Sequence, residues 1–167
     1  MDLISIVIAS LRLNKISWVE SFIDKYRSKL TGEFRSDTEN LVKALISYKK
    51  RDYNKSIELL NKVNYQNSYY YLKSKETLMQ IYYEQKDFEP LQSLLDSTRH
   101  YLKRRREVLS IHYDRYFMFL KYTGTLLKAM DGDKSKLMIL KKELKKNNNV
   151  IAREWLMEKA EQLAVNS

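Results

Sequence analysis

Residues 41–60, LVKALISYKKRDYNKSIELL, decide how this chain folds. Leu41, Ala44, Leu45 and Tyr48 fall at i, i+3, i+4 and i+7, the spacing that places apolar side chains on one face of a helix. The polar run Lys50-Arg51-Asp52 ends that stripe, and a second one begins with Tyr53, Ile57 and Leu60. Two amphipathic helices joined by a short polar turn follow from this pattern.

Outward from this stretch the same skeleton returns at a step of 35 residues, the signature of a repeat array. Trp18, Tyr53 and Phe88 coincide, as do Leu11, Ile46 and Ile81, and Leu13, Tyr48 and Tyr83. Asp52 matches Asp87, and Leu59-Leu60 matches Leu94-Leu95. Ala9 matches Ala44 and Ser21 matches Ser56, small residues of the kind that closely crossing helices need. In the third copy Leu78, Ile81 and Tyr82 precede the turn Gln85-Lys86-Asp87, and Phe88, Leu91, Leu94 and Leu95 follow it. Pro90 suits a first helical turn, and Asp87 reads as the N-cap. Ser17 with Glu20 and Ser36 with Glu39 read as capping boxes that open the second helix of copy one and the first helix of copy two.

Over residues 1–103 this pattern resembles the tetratricopeptide repeat, in particular the divergent repeats of bacterial helical-repeat proteins, with an aromatic opening the second helix and an apolar pair later in it. Arg51 and Lys86 stand where that family carries a turn glycine, and Leu91 replaces the small residue that follows the aromatic. The resemblance implies an all-α, right-handed superhelix of antiparallel helix-turn-helix units that binds protein or peptide on a concave face. First helices would line that face, which makes Tyr48, Tyr71, Lys75 and Tyr82 the candidate contacts. A plain helical bundle would also show partial self-similarity, and the aromatic set just after each turn is what favours repeats.

Composition agrees with helices. Three Gly and one Pro in 167 residues leave little turn material, while 44% hydrophobic and 12% aromatic residues supply a core. There is no cysteine, which excludes disulfides and thiolate metal sites.

Beyond residue 103 the repeat breaks down. Residues 107–130 read as one long helix with Leu109, Tyr113, Tyr116, Phe117 and Leu120 facing inward, stopped at Gly132, with Asp133 placed to cap the next helix. Residues 133–146 and 150–164 read as a charged hairpin around Asn147-Asn148-Asn149, its inner face Leu137, Leu140, Leu144, Ile151, Trp155 and Leu163. The expectation is one domain over 1–167, with three repeats in 1–103, a long helix in 104–132 and a capping hairpin in 133–167. A first helix over 2–13 that is apolar nearly all round predicts that this is the C-terminal part of a longer repeat protein.

No chemistry-bearing motif stands out. His100 and His112 lack a second ligand at helical spacing, and Asp131-Gly132-Asp133 lacks the glycine and closing glutamate of a calcium loop. A phosphate loop and a nucleophile elbow are both missing, so the reading is a non-enzymatic protein-interaction scaffold with no cofactor or metal. Residues 3–9 are too short to span a bilayer, and residues 113–130 carry Asp114, Arg115, Lys121 and Lys128, so no membrane insertion is expected and the cytoplasm is the default compartment.

Charge is localised. Residues 99–146 hold 14 Lys or Arg against 5 Asp or Glu, a net of +9, whereas the rest of the chain holds 17 against 16. Lys103, Arg104, Arg105 and Arg106 near a helix junction, with Lys141, Lys142, Lys145 and Lys146 along a helix, form a basic patch suited to an alternative, nucleic-acid-binding role. That role requires exposed aromatics beside the charges, and most Tyr and Phe fall at core phases. Tyr69, Tyr70 and Tyr71 are the exception, because three consecutive aromatics cannot all face one core.

Overall fold

The computed structural model describes residues 3–27, 29, 34–63 and 67–165. Among these residues all regular structure is helical, with no strand: α1 (Leu3–Arg12), α2 (Ile16–Tyr26), α3 (Phe34–Lys49), α4 (Tyr53–Leu60), α5 (Ser68–Gln85), α6 (Phe88–Arg104), α7 (Arg106–Met130), α8 (Leu137–Lys146) and α9 (Arg153–Val165). None of them is long and apolar enough to cross a membrane. The chain divides into two compact units, Met1–Ile81 and Tyr82–Ser167, with the boundary inside α5.

One turn recurs three times and organises the helices into hairpins. At its centre Asn14, Arg51 and Lys86 adopt left-handed backbone, with φ of 59°, 61° and 57°. In each case the N–H of that residue donates to the carbonyl three residues back, and the next N–H to the carbonyl five residues back. The pairs are Asn14 to Leu11 with Lys15 to Ser10, Arg51 to Tyr48 with Asp52 to Ser47, and Lys86 to Tyr83 with Asp87 to Tyr82. This pair of hydrogen bonds satisfies otherwise orphaned carbonyls of a helix C-terminus. The following residue then starts the next helix within a single step.

The turns correct the sequence alignment of the first copy. From Asn14 to Arg51 the step is 37 residues, not 35, so Ile16 rather than Trp18 opens α2 and corresponds to Tyr53. Burial obeys the corrected register: Ile4, Val7, Val19 and Ile23 of the first hairpin answer Leu41, Ala44, Ser56 and Leu60 of the second, and all are buried. Ala9, Leu13, Trp18 and Ser21, aligned at the step of 35, are exposed instead. The two capping boxes fail with it. Ser17 already lies inside α2 and Glu20 accepts from Lys50 Nζ at 2.7 Å. Helix α3 starts at Phe34, and Glu39 collects Arg27, Arg35 and Lys43. Several cations compete better for a carboxylate than one backbone amide does. Asp52 caps α4, accepting from Lys55 N–H at 3.1 Å, whereas Asp87, the cap expected from the sequence, sits at the N-cap position without a side-chain bond.

In the first unit α3 and α4 form the most extensive helix pair. Ala44 and Ser56 meet at their crossing, both fully buried, and Ser56 Oγ donates to the Ala44 carbonyl at 2.9 Å. Around that contact Leu41, Val42 and Leu60 are almost completely buried, each stabilising the fold by about 2 kcal/mol relative to exposure. At the start of α5, Asn67 Oδ1 accepts from the N–H groups of Tyr69 and Tyr70, an N-cap. Tyr69, Tyr70 and Tyr71 are all half-buried, and the Tyr70 hydroxyl lies 2.8 Å from Thr38 Oγ1.

In the second unit α6 packs on α7, and α8 and α9 close against α7 and each other. Helix α7 departs from the single continuous helix expected: Ser110, at φ 25° and ψ −94°, interrupts it. Leu109, Tyr116 and Leu120 face inward as expected, but Phe117 points outward. Its place in the core is filled by Phe119 and Tyr122, whose phase continues the Tyr116 line. Gly132, at φ 104°, stops α7 with the same pair of bonds, Gly132 N–H to Ala129 and Asp133 N–H to Lys128. Asp133 does not cap α8, whose N-cap is Lys136, and accepts from Ser135 N–H at 3.2 Å instead. Leu137, Leu140 and Leu144 form the buried face of α8, joined by Val150, which the sequence pattern omitted.

Candidate functional site

Two surfaces, one in each unit, carry side chains that the folding of that unit does not consume. The first lies on α2, where Trp18, Phe22 and Tyr26 recur every four residues and so share one face. Their rings meet in sequence, Trp18 stacked on Phe22 at 4.8 Å and Phe22 tilted against Tyr26 at 4.5 Å between centroids. Trp18 is 46% exposed and Tyr26 39%, and Lys29 Nζ stands 5.2 Å over the Tyr26 ring. Amphipathicity explains the placement: Val19 and Ile23 occupy the buried face, which turns the aromatic ladder to solvent.

Of the residues singled out from sequence, Tyr71 and Lys75 are brought together: they sit one turn apart on α5, with Lys75 Nζ 5.2 Å from the Tyr71 ring centre. Tyr48 is half-buried and lies beside Tyr53, 6.0 Å between centroids, at the α3–α4 turn. Tyr82 is half-buried and belongs to the second unit.

The second surface is basic. Lys103, Arg104, Arg105 and Arg106 are exposed at the α6–α7 junction, where Arg105 lies 5.4 Å over the Tyr101 ring and Arg106 5.2 Å over that of Tyr113. Tyr113 in turn stacks on Phe117, 5.9 Å apart and inclined by 14°. Further along the same face of α7 lie Lys121, Gly124 and Lys128, and with Gln92, Leu95 and Arg99 of α6 and Lys136 they line a groove of about 420 Å³. On the other basic helix, Lys141, Lys142 and Lys145 border a second groove, of about 530 Å³, with Leu137, Met138 and Ala164 beneath them. Lys146 is exposed at the end of the same helix.

No family model, curated protein or solved structure matches this chain.

Carboxylates temper the α6–α7 groove. Asp96 holds Arg99 at 2.8 Å, and Glu143 of α8 holds Lys121 at 3.3 Å. A hydrogen bond from the buried Tyr122 hydroxyl, aided by Lys121, keeps Glu143 below the ordinary carboxylate range. Burial and the same contact push Tyr122 up. Asp133 is likewise lowered, first by its Ser135 hydrogen bonds and then by Lys136 and Lys128.

Arg99, Phe117, Lys121, Lys128 and Lys136 escaped the sequence reading as a group. The signal was present: Arg106, Tyr113, Phe117, Lys121, Gly124 and Lys128 step by 7, 4, 4, 3 and 4 along one helical stripe. Counting runs of adjacent charge, as at 103–106, obscures such a stripe.

Proposed function

We propose that this chain is a non-enzymatic protein-interaction scaffold built from tetratricopeptide-like helical hairpins, arranged as a right-handed superhelix. The turn shared by Asn14, Arg51 and Lys86 supports the repeat reading, because each closes a helical hairpin with the same pair of backbone hydrogen bonds. The observation that carries the function is the exposed Trp18–Phe22–Tyr26 ladder. Aromatic side chains held at a surface forgo burial, and Trp and Tyr are the residues around which protein interfaces concentrate their affinity. Tyr71 with Lys75, and Tyr48, are further contacts on the same unit, and Tyr82 is one on the second.

Cross-linking capture from the native host tests the proposal. One protein should be retained in near-stoichiometric amount by the wild type and lost on replacing Trp18 and Tyr26 together by Ala, while the circular dichroism spectrum stays helical. Retention indifferent to both substitutions would sink it.

A second reading, binding of nucleic acid by the basic surface of residues 99–146, is favoured by one observation: Tyr113 and Phe117 place stacked aromatics directly beside the cations. Nuclease-sensitive retention in the same capture would favour this reading over the first.

A further inference from the structure

Phe117 is 36% exposed although the core of its own helix had room to take an aromatic at position 119. It does not stand alone: Tyr113 lies nearly parallel to it, and Arg106 covers the far side of the pair. The arrangement is a short stack whose outer end is open. Beyond it along α7 the stripe changes character to Lys121, Gly124 and Lys128, with Arg99 facing from α6 and Lys136 at the far end. From Tyr113 to Lys128 the stripe measures about 22 Å at the helical rise per residue.

Gly124 is informative because nothing about the fold requires it. A Cβ there would meet no atom within 4 Å, so packing does not demand a bare position. Glycine is also the poorest helix former after proline. What its absence of side chain achieves is an uncovered groove floor between Lys121 and Lys128.

We infer that the α6–α7 groove binds single-stranded nucleic acid, with a base extending the Tyr113–Phe117 stack on the open side of Phe117 and phosphates following Arg99, Lys121, Lys128 and Lys136. This rests on the nucleic-acid reading above and specifies its site and ligand. Single strands are favoured over duplexes because a duplex has already spent its base faces on its own stack, whereas an unpaired strand offers them to an aromatic platform. The competing carboxylates do not block the groove: the Lys121–Glu143 pair is exposed on both sides, and such pairs exchange readily for a phosphate. Asp96 turns Arg99 toward α6 without burying it, and Asp133 lies beside Lys128 and Lys136 on the rim.

Fluorescence anisotropy with a labelled 20-nucleotide oligothymidylate tests this, against the matching duplex, a polyglutamate peptide and inorganic polyphosphate of comparable charge. The single strand should bind at least tenfold more tightly than any of these competitors. Phe117→Ala should weaken it on the order of tenfold while leaving the slope of log affinity on log salt unchanged. Lys121→Gln and Lys128→Gln should each flatten that slope by about 0.7. Gly124→Leu, whose Cβ enters open space, should block binding while the circular dichroism spectrum stays helical. Equal binding of polyphosphate and oligonucleotide, insensitive to Phe117→Ala, overturns the inference and leaves the basic surface as a general polyanion site. Preference for an acidic peptide over the oligonucleotide overturns it in favour of a protein partner. Failure to bind any polyanion removes both the inference and the nucleic-acid reading beneath it.

Discussion

Lys159 of α9 places its Nζ 2.8 Å from Glu84 Oε1, and Trp155 Nε1–H donates to the same oxygen at 3.0 Å. The ammonium is 8% exposed and the carboxylate 24%, while the Trp155 ring meets Tyr83 edge-on at 5.2 Å and Phe119 at 6.3 Å. The last turn of α5 is thereby tied to α9 within the second unit. Burial works against the Lys159 charge, but Glu84 and Glu158 outweigh it and hold the group above the ordinary lysine value of 10.5. Lys159→Met strands Glu84 and should destabilise the protein by about 2–3 kcal/mol, less than for a fully buried pair because Glu84 keeps some solvent. A folded value raised above the unfolded one gives stability that is complete below 10.5 and fades as pH rises through the folded value. Urea midpoints should thus separate wild type and variant by a constant amount from neutral pH to about 10, and converge at higher pH. A gap that persists unchanged above that value would exclude the pair as its source.

Arg51 and Lys86 occupy left-handed backbone that a glycine adopts without cost, whereas a residue with a Cβ gives up about 1 kcal/mol there. Both side chains are exposed. Arg51→Gly and Lys86→Gly should each raise stability by up to about 0.5 kcal/mol, after allowing for glycine's greater freedom in the unfolded chain. Asn14→Gly should gain less, since Asn tolerates this region better. Chemical denaturation of the three variants measures the difference, and a loss at Arg51 or Lys86 would mean that the turn is not strained.

At the α3–α4 crossing, Ser56 is small because Ala44 lies against it, and its hydroxyl finds the Ala44 carbonyl at 2.9 Å. Ser56→Ala should cost only about 1 kcal/mol, the net worth of one hydrogen bond. Ser56→Leu, which installs the residue found at the corresponding position 91, should cost about 3 kcal/mol by overpacking. Thermal unfolding that ranks the two the other way would deny the crossing its close approach.

These elements show what could be read in advance. The α3–α4 hairpin was legible because its apolar spacing and its polar turn agree on one structure, and α5–α6 followed from it. Copy one misled at Trp18, since matching aromatics outweighed a two-residue difference in length that only the turn at Asn14 reveals. Phe117 misled for a related reason: it lies next to Tyr116 in sequence but about 100° away around the helix, so aromatic content alone placed it inside. The basic character was plain, but the place of Arg99 beside the Phe117–Lys121 stripe depends on the pairing of α6 with α7. The Glu84–Lys159 pair joins residues 75 positions apart and left no local trace.

Glu143 offers the corresponding test at acid pH, and it reports on how α8 is held to α7. Its carboxylate accepts from Tyr122 and pairs with Lys121, and the first of these contributes most to holding it below the ordinary value of 4.5. A carboxylate lowered on folding contributes stability that is present above 4.5 and is lost as pH falls through the folded value. Glu143→Gln removes the ionisation while keeping the shape, so the stability of wild type relative to this variant should hold steady from neutral pH down to about 5 and then decline. Tyr122→Phe should shift the Glu143 titration, followed by carboxyl NMR, upward toward 4.5, whereas Lys121→Gln should shift it less. The ranking matters because it separates two pictures of the α7–α8 contact. If the lysine dominates, the contact is a surface ion pair that salt dissolves; if the tyrosine does, it is a hydrogen bond from a buried donor and survives high salt.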